Sequence, residues 1–162
     1  VLYTHTMFLM KTEHKAFKSN VDPSWRIGIV ASEYYSEQMD TLIKGALDEL
    51  QKAGIPKENC SVHRVSGSFE IPLIGSELAD SKSIDALIGL GIIVEGETHH
   101  ASLIAQQVCR GIMDIQCKYR IPFAFEILYV DAIRQAEERL DRGKEAAATV
   151  LHSLAKLRSI RS

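Results

Sequence analysis

The sequence has little of what marks the specialised classes of chain. Three cysteines in 162 residues, Cys60, Cys109 and Cys117, are too few and too scattered for a disulfide scaffold or a zinc knuckle. The last two fall on one helical segment at core-like spacing, which predicts reduced structural thiols in a cytosolic protein. Neither sign of charge dominates. Nineteen Lys and Arg face 21 Asp and Glu for a net charge of −2, so no basic field advertises nucleic acid or anionic lipid. No apolar run approaches the roughly 18 residues of a membrane-spanning helix. Walker, GxGxxG, HExxH and GxSxG patterns are absent, and with them the main support for nucleotide-fold, zincin and serine-hydrolase readings.

What is present is ordinary globular material, 46% hydrophobic and 25% charged. The length suits one domain, for which about 100–200 residues is usual. Val1 to Ser24 shows no sustained period, and its apolar patch Met7–Met10 is too short for a signal-peptide core. This stretch, 1–24, is expected to be an arm that frays or pairs with a neighbouring subunit, with the folded domain over 25–162.

From Trp25 onward, strand-like and helix-like periods alternate. Arg26–Ala31 reads as a short strand. Leu42, Ile43, Ala46, Leu47 and Leu50 share one helical face, with Gly54 and Pro56 as the stop. Cys60–Val65 alternates like a strand. Phe69–Leu78 reads as a helix that tolerates Pro72 because it lies in the first turn. The nearly continuous apolar run Ile84–Val94 suits a strand covered on both faces. His100–Tyr119 carries a stripe of Leu103, Ile104, Val108, Ile112 and Ile115, Pro122–Leu128 is a further strand, and Asp131–Leu157 holds one or two closing helices parted near Gly143. Alternation of this kind predicts a single-domain α/β protein, with about four mostly parallel strands between helical layers.

In such sheets ligands bind outside the carboxyl ends of the strands. The segments to inspect are Ser32–Tyr35, Ser66–Glu70, Glu95–His100 and Phe125–Asp131. In the third, Gly96, the Thr98 hydroxyl and the N–H groups of the following helix would make an anion cradle. His99 and His100 add groups that titrate near neutrality. A capped helix start with solvated histidines explains the same residues. Tyr34 suits stacking on a planar ligand or a plain surface. Phe69 and Glu70 suit a pocket, or a core anchor and a first-turn acid beside the helix dipole. Arg139, late in a charged helix, reads locally as solvated, and His63 as lying on an exposed strand face.

Taken together, these segments resemble the lumazine synthase family. The resemblance covers about Trp25 to Ala155 and is most specific at Gly67-Ser68-Phe69-Glu70-Ile71-Pro72 and Gly96-Glu97-Thr98-His99-His100, which fall at the family's spacing after the second and third strands. It implies a three-layer α/β/α sandwich and a transferase of riboflavin biosynthesis. That enzyme condenses 5-amino-6-(D-ribitylamino)uracil with 3,4-dihydroxy-2-butanone 4-phosphate to 6,7-dimethyl-8-ribityllumazine, without metal or organic cofactor. It further implies a cytoplasmic homo-oligomer, a pentamer or a multiple of pentamers, with active sites between subunits, no nucleic acid or membrane partner, and riboflavin synthase as the partner enzyme.

Carried over residue by residue, the resemblance puts Tyr34 against the pyrimidine ring and Ser68, Phe69 and Glu70 around the ribityl chain and ring. Ile92, Ile93 and Val94 would offer backbone groups to the pyrimidine edge, and Phe125 would pack on that ring from a neighbouring subunit. Glu97 and Thr98 match the phosphate-side loop, Arg139 the residue that grips the phosphate, and His100 the proton-transferring histidine. The chain departs from the family at Tyr35, where Asn or a small polar residue is usual, and at Ala101 and Ser102, where Phe and an acid are usual. It departs again at Glu126, where glycine is usual, in the short stretch from Arg139 to Gly143, and at Arg142, where lysine is usual. These departures support an alternative reading, a non-catalytic flavin- or lumazine-binding or shell-forming relative. An archaeal-type riboflavin synthase is disfavoured by the intact Gly-Ser-Phe-Glu-Ile-Pro and Gly-Glu-Thr segments.

Overall fold

A computed structural model of the protein describes residues 21–162. Four strands, β1 (Ile27–Ser32), β2 (Cys60–Val65), β3 (Ala86–Val94) and β4 (Phe123–Val130), form one sheet in the order β2-β1-β3-β4. Every pairing is parallel, so the sheet is wholly and not mostly parallel. The crossovers are carried by α1 (Ser36–Lys52), α2 (Ile71–Asp80) and α3 (His100–Tyr119); α4 (Ile133–Glu137) and α5 (Arg142–Arg161) close the chain.

The layers follow from alternation along the strands. Ile27, Ile29 and Ala31 of β1 pack with Leu42, Ala46 and Leu50 of α1 and with Val150 and Leu154 of α5. Val30 points the other way, into a cluster with Ile71 of α2 and Val108 and Ile112 of α3. β3 is buried from Ala86 to Ile93, as its continuous apolar sequence requires of a strand covered on both faces. The result is the expected three-layer α/β/α sandwich.

Several details differ from expectation. The closing helices part at Glu138–Asp141, and Gly143 lies buried in the first turn of α5. A Cβ built there would lie 2.8 Å from the Leu42 carbonyl carbon of α1. This glycine permits a close helix–helix approach and does not break the helix. Arg139 lies in the α4–α5 connection and not late in a helix. Along α3, Val108, Ile112 and Ile115 are buried but Leu103 is 58% exposed. Cys109 and Cys117 are exposed and free, off the buried stripe, so their spacing was not core spacing. His63 is half-buried beside Ser61 Oγ at 3.0 Å.

The arm expected over 1–24 lies outside the described residues except for its end. There Val21 packs on the core, Asp22 pairs with Arg158 at 3.3 Å, and Asn59 Nδ2 donates to the Pro23 carbonyl at 2.8 Å. Among the described residues no helix is long and apolar enough to cross a membrane.

Candidate active site

The strand order reverses direction between β1 and β3, since β2 lies outside β1 and β4 outside β3. In doubly wound sheets that reversal opens a crevice at the carboxyl ends, because the chains leaving the two strands diverge to opposite faces. Here β1 pairs with β3 only as far as Ala31–Leu90, while β3 continues beside β4 to Val94–Val130. The last residues of β3, including Ile92, Ile93 and Val94, therefore present the edge facing away from β4 without a strand partner. Ile92 and Ile93 side chains are buried, so what they offer the crevice is backbone.

Two connections line the crevice. After β1 the chain turns through Tyr34, 66% exposed, and Tyr35, which adopts the left-handed conformation at φ 56° before α1 begins. After β2 it runs through Gly67 and a short 3-10 turn, Ser68–Glu70, that leads directly into α2. A Cβ built on Gly67 would lie 3.2 Å from Glu70 Oε2 and 3.7 Å from the Tyr34 ring. The bare backbone at Gly67 thus lets an aromatic ring and a carboxylate approach from the two neighbouring connections. Ser66 Oγ donates to Glu70 Oε2 at 3.3 Å. Phe69 is 57% exposed and so is no core anchor. Ser68 is buried against Gly91 of β3, where a Cβ would lie 3.3 Å from its own Cβ. Tyr34, Ser68, Phe69, Glu70 and the end of β3 are thus brought together.

The loop after β3 stands beside this cluster. Glu97, Thr98, His99 and His100 are all exposed, and His100 opens α3, a 20-residue helix. His99 precedes it with no side-chain cap, so the first N–H groups of a long helix face the loop. Glu95 anchors the loop on both sides. Its N–H donates to the Val130 carbonyl at 2.8 Å and its carboxylate accepts from Tyr129 Oη and, at 3.3 Å, from Gly96 N.

Phe125 and Arg139 are placed elsewhere in the same chain. They line a groove of about 490 Å3 along the outer edge of β4, with Glu126, Gln135 and Arg142. Arg139 is half-buried, and its Nη1 donates to the Gln135 carbonyl. Gln135 Oε1 in turn accepts from the backbone N–H of Asp131 at 2.8 Å, so the α4 turn holds the guanidinium against the strand end. Strand alternation sets Phe125 and Glu126 on opposite faces of β4, with Glu126 toward α5. Burial pushes the Glu126 carboxyl up to about 7, with the nearby charges of Glu145 and Asp141 adding to the rise and Arg142 opposing it.

The sequence pattern gave Gln135 and Gly91 no role at the site, took in Tyr129 and Glu126 only within the segment Phe125–Asp131, and marked Glu126 and Arg142 as departures from a family pattern. Glu126 carried a usable signal, a carboxylate inside an otherwise apolar strand run. The Ser32 hydroxyl, wholly buried at the end of β1, finds no partner among the described residues. No group of three or more His, Cys, Asp or Glu among the described residues could hold a metal ion.

Comparison with known proteins adds an independent line. The family model described as 6,7-dimethyl-8-ribityllumazine synthase matches residues 24–158. The enzyme of that name from Parabacteroides distasonis is 38% identical over 141 residues, covering 83% of this chain and 88% of that protein. Its namesake from Protochlamydia amoebophila is 39% identical over 134 residues, 80% of this chain and 78% of that protein. The Aquifex aeolicus protein of the same name is 35% identical over 141 residues, covering 84% and 92%.

Proposed function

Because the chain belongs to the 6,7-dimethyl-8-ribityllumazine synthase family, we infer that it is the transferase that condenses 5-amino-6-(D-ribitylamino)uracil with 3,4-dihydroxy-2-butanone 4-phosphate. The observation that carries this reading to the site is the cradle at the β1/β3 reversal, where an exposed tyrosine, a carboxylate and unpartnered strand backbone converge. A flat, polar-edged pyrimidine needs a ring to stack on and edge groups to bond to, and that cradle offers both.

In this reading Tyr34 stacks on the pyrimidine, and Ser68, Phe69 and Glu70 hold the ribityl chain and ring. Backbone groups of Ile92, Ile93 and Val94 meet the ring edge. Glu97, Thr98 and the α3 N-terminus flank the phosphate, which Arg139 grips. The pyrimidine amine condenses with the ketone to a Schiff base with loss of water, phosphate leaves, and ring closure expels a second water. These steps need protons moved near neutral pH, and His100 at the rim of the loop suits that task. A fixed guanidinium suits a departing phosphate.

Phe125 and Arg139 lie on the outer edge of β4, one strand beyond β3, so the reading requires them from a neighbouring copy. The assembly proposed is therefore a homo-oligomer, a pentamer or a multiple of it, with active sites between subunits. The folded domain is assigned to 25–162 and the arm to 1–24. The free thiols suit the reducing cytoplasm as the site of action, and riboflavin synthase is the partner enzyme that would consume the product.

Steady-state kinetics test the reading against the rate without protein. His100→Ala should lower turnover by roughly 10²-fold or more, the usual scale of general acid–base help, with little change in KM for the ketone phosphate. Arg139→Leu should raise that KM and leave the pyrimidine's nearly unchanged. A wild-type protein no faster than the protein-free control would sink the enzymatic reading.

A further inference from the structure

Glu126 is the one acid that projects from the body of β4 into the groove containing Phe125, Gln135, Arg139 and Arg142. It is half-buried there and forms no ion pair among the described residues; Arg142, whose charge acts on it, has its Nη1 paired with Glu145 at 2.8 Å. We propose that Glu126 is a specificity-determining residue of the phosphate half of the site: ionised, its carboxylate opposes a phosphate dianion in the groove, and protonated, it admits one. The proposal rests on the reading of this groove as the seat of the substrate's phosphate.

Of the charged groups on the elements next to β4, Arg142, Glu145 and Asp141 act on Glu126. Just past the end of β4 stands Asp131. α4 contributes Arg134, Glu137 and Glu138, but Arg134 is paired with Glu138 at 3.1 Å and Glu137 accepts from Gln38 at 3.0 Å. The connection contributes Arg139, turned onto the Gln135 carbonyl, and Asp141. From α5 come Arg142, Lys144 and Glu145. Burial and the charges of Glu145 and Asp141 raise the carboxyl and Arg142 lowers it, leaving it near 7. A phosphate monoester loses its second proton near pH ~6, so the ligand's second charge and the opposing carboxylate develop over neighbouring pH intervals. An ordinary phosphate site gains affinity as the dianion forms. This groove surrenders that gain as Glu126 ionises.

The test is the KM for 3,4-dihydroxy-2-butanone 4-phosphate, measured between pH 6 and 8.5 at fixed ionic strength on the assembled protein. Wild type, Glu126→Gln and Arg139→Leu are run together, with the inhibition constant of inorganic phosphate as a second readout. The ratio of wild-type KM to Glu126→Gln KM should be near one at pH 6 and rise about three- to tenfold by pH 8.5, as one added charge in a half-exposed groove predicts. The phosphate inhibition constants should follow the same curve, and KM for the pyrimidine should not. Arg142→Gln is the second variant. It removes the cation that lowers the carboxyl, so the rise in KM should begin at higher pH. A ratio independent of pH, whatever its value, overturns the proposal, because a merely structural carboxylate would give that result. If Arg139→Leu raises KM while the ratio stays flat, only this proposal falls. If Arg139→Leu changes nothing, the groove is not the phosphate's seat and both readings fall.

Discussion

Adding one methyl group at Gly91 should damage the pyrimidine side of the site from within the sheet. In β3 this glycine faces the 3-10 turn that carries Ser68, Phe69 and Glu70. A Cβ at position 91 would fall on Ser68 Oγ and lie 3.3 Å from Ser68 Cβ and 3.1 Å from Ile127 Cδ1. The hydroxyl can rotate away. The Ser68 Cβ cannot, and Ser68 is only 7% exposed, so the turn or Ile127 must move by a few tenths of an ångström. Overpacking of this kind costs about 1–3 kcal/mol. Replacing glycine inside a strand returns about 0.5–1 kcal/mol of backbone entropy. The net expectation for Gly91→Ala is a loss of about 1–2 kcal/mol.

The same contact predicts coupling. Ser68→Gly removes the Cβ that the new methyl meets and cannot displace, so Gly91→Ala/Ser68→Gly should recover about 1 kcal/mol relative to the sum of the single changes, within the range found for touching residues. Urea unfolding of the four proteins at one fixed chain concentration measures the cycle, since assembly makes apparent stability concentration-dependent. KM for the pyrimidine should rise in Gly91→Ala while KM for the ketone phosphate stays put. A Gly91→Ala protein as stable as wild type, or a cycle that is simply additive, would refute the claim that this contact seats the turn.

Gly143→Ala should be worse, because the intruding methyl meets Leu42 backbone and not a rotatable side chain. Overpacking at the top of its usual range, about 3 kcal/mol, less a helix-propensity gain of about 1 kcal/mol, gives an expected loss of about 2 kcal/mol, read by the same urea titration. Tyr35→Asn should stabilise by about 1 kcal/mol, since a tyrosine at φ 56° bears a steric penalty that Asn largely escapes. A lower thermal midpoint for that variant would show that Tyr35 makes contacts worth more than its backbone strain.

Much of the fold was legible because hydrophobic period and burial coincide. The stripe of α3 gave its bounds, His100–Tyr119, and the alternation of Cys60–Val65 gave β2. Glycine was where legibility failed. Gly54, at φ 104°, does end the α1 region as a stop signal should, whereas Gly143 is a contact glycine inside a helix, and both look alike in sequence. Period alone also misassigned Cys109 and Cys117. Their spacing fits a helix, but only registration against Val108 and Ile112 shows that they fall off the buried face. At the site, the rule that ligands sit beyond strand ends picked out Tyr34, Ser66–Glu70 and Glu95–His100. It also took in Phe125–Asp131 but gave Glu126 no role there, since that residue sits within a strand and matters because β4 is an edge.

The partition of the site also constrains how copies of the chain can meet. The ring cradle opens at the carboxyl ends of β1 and β3, and the groove with Phe125 and Arg139 runs along the outer edge of β4. These are two different surfaces of one chain. A two-fold dimer sets residue i against j and j against i, so it completes both sites only if cradle and groove are close enough to share one contact surface. Joining the cradle of one copy to the groove of the next is a head-to-tail contact, and repeated head-to-tail contacts close into a ring or run on as a filament. The surface is suited to such burial, with Phe125 and Tyr129 exposed on the β4 edge and Leu73, Leu103 and Met113 exposed on α2 and α3. A ring needs no such closeness, since each copy gives its groove to one neighbour and its cradle to the other. On the proposed function, every copy in such a closed ring has a complete site, whereas a filament leaves one incomplete at its end.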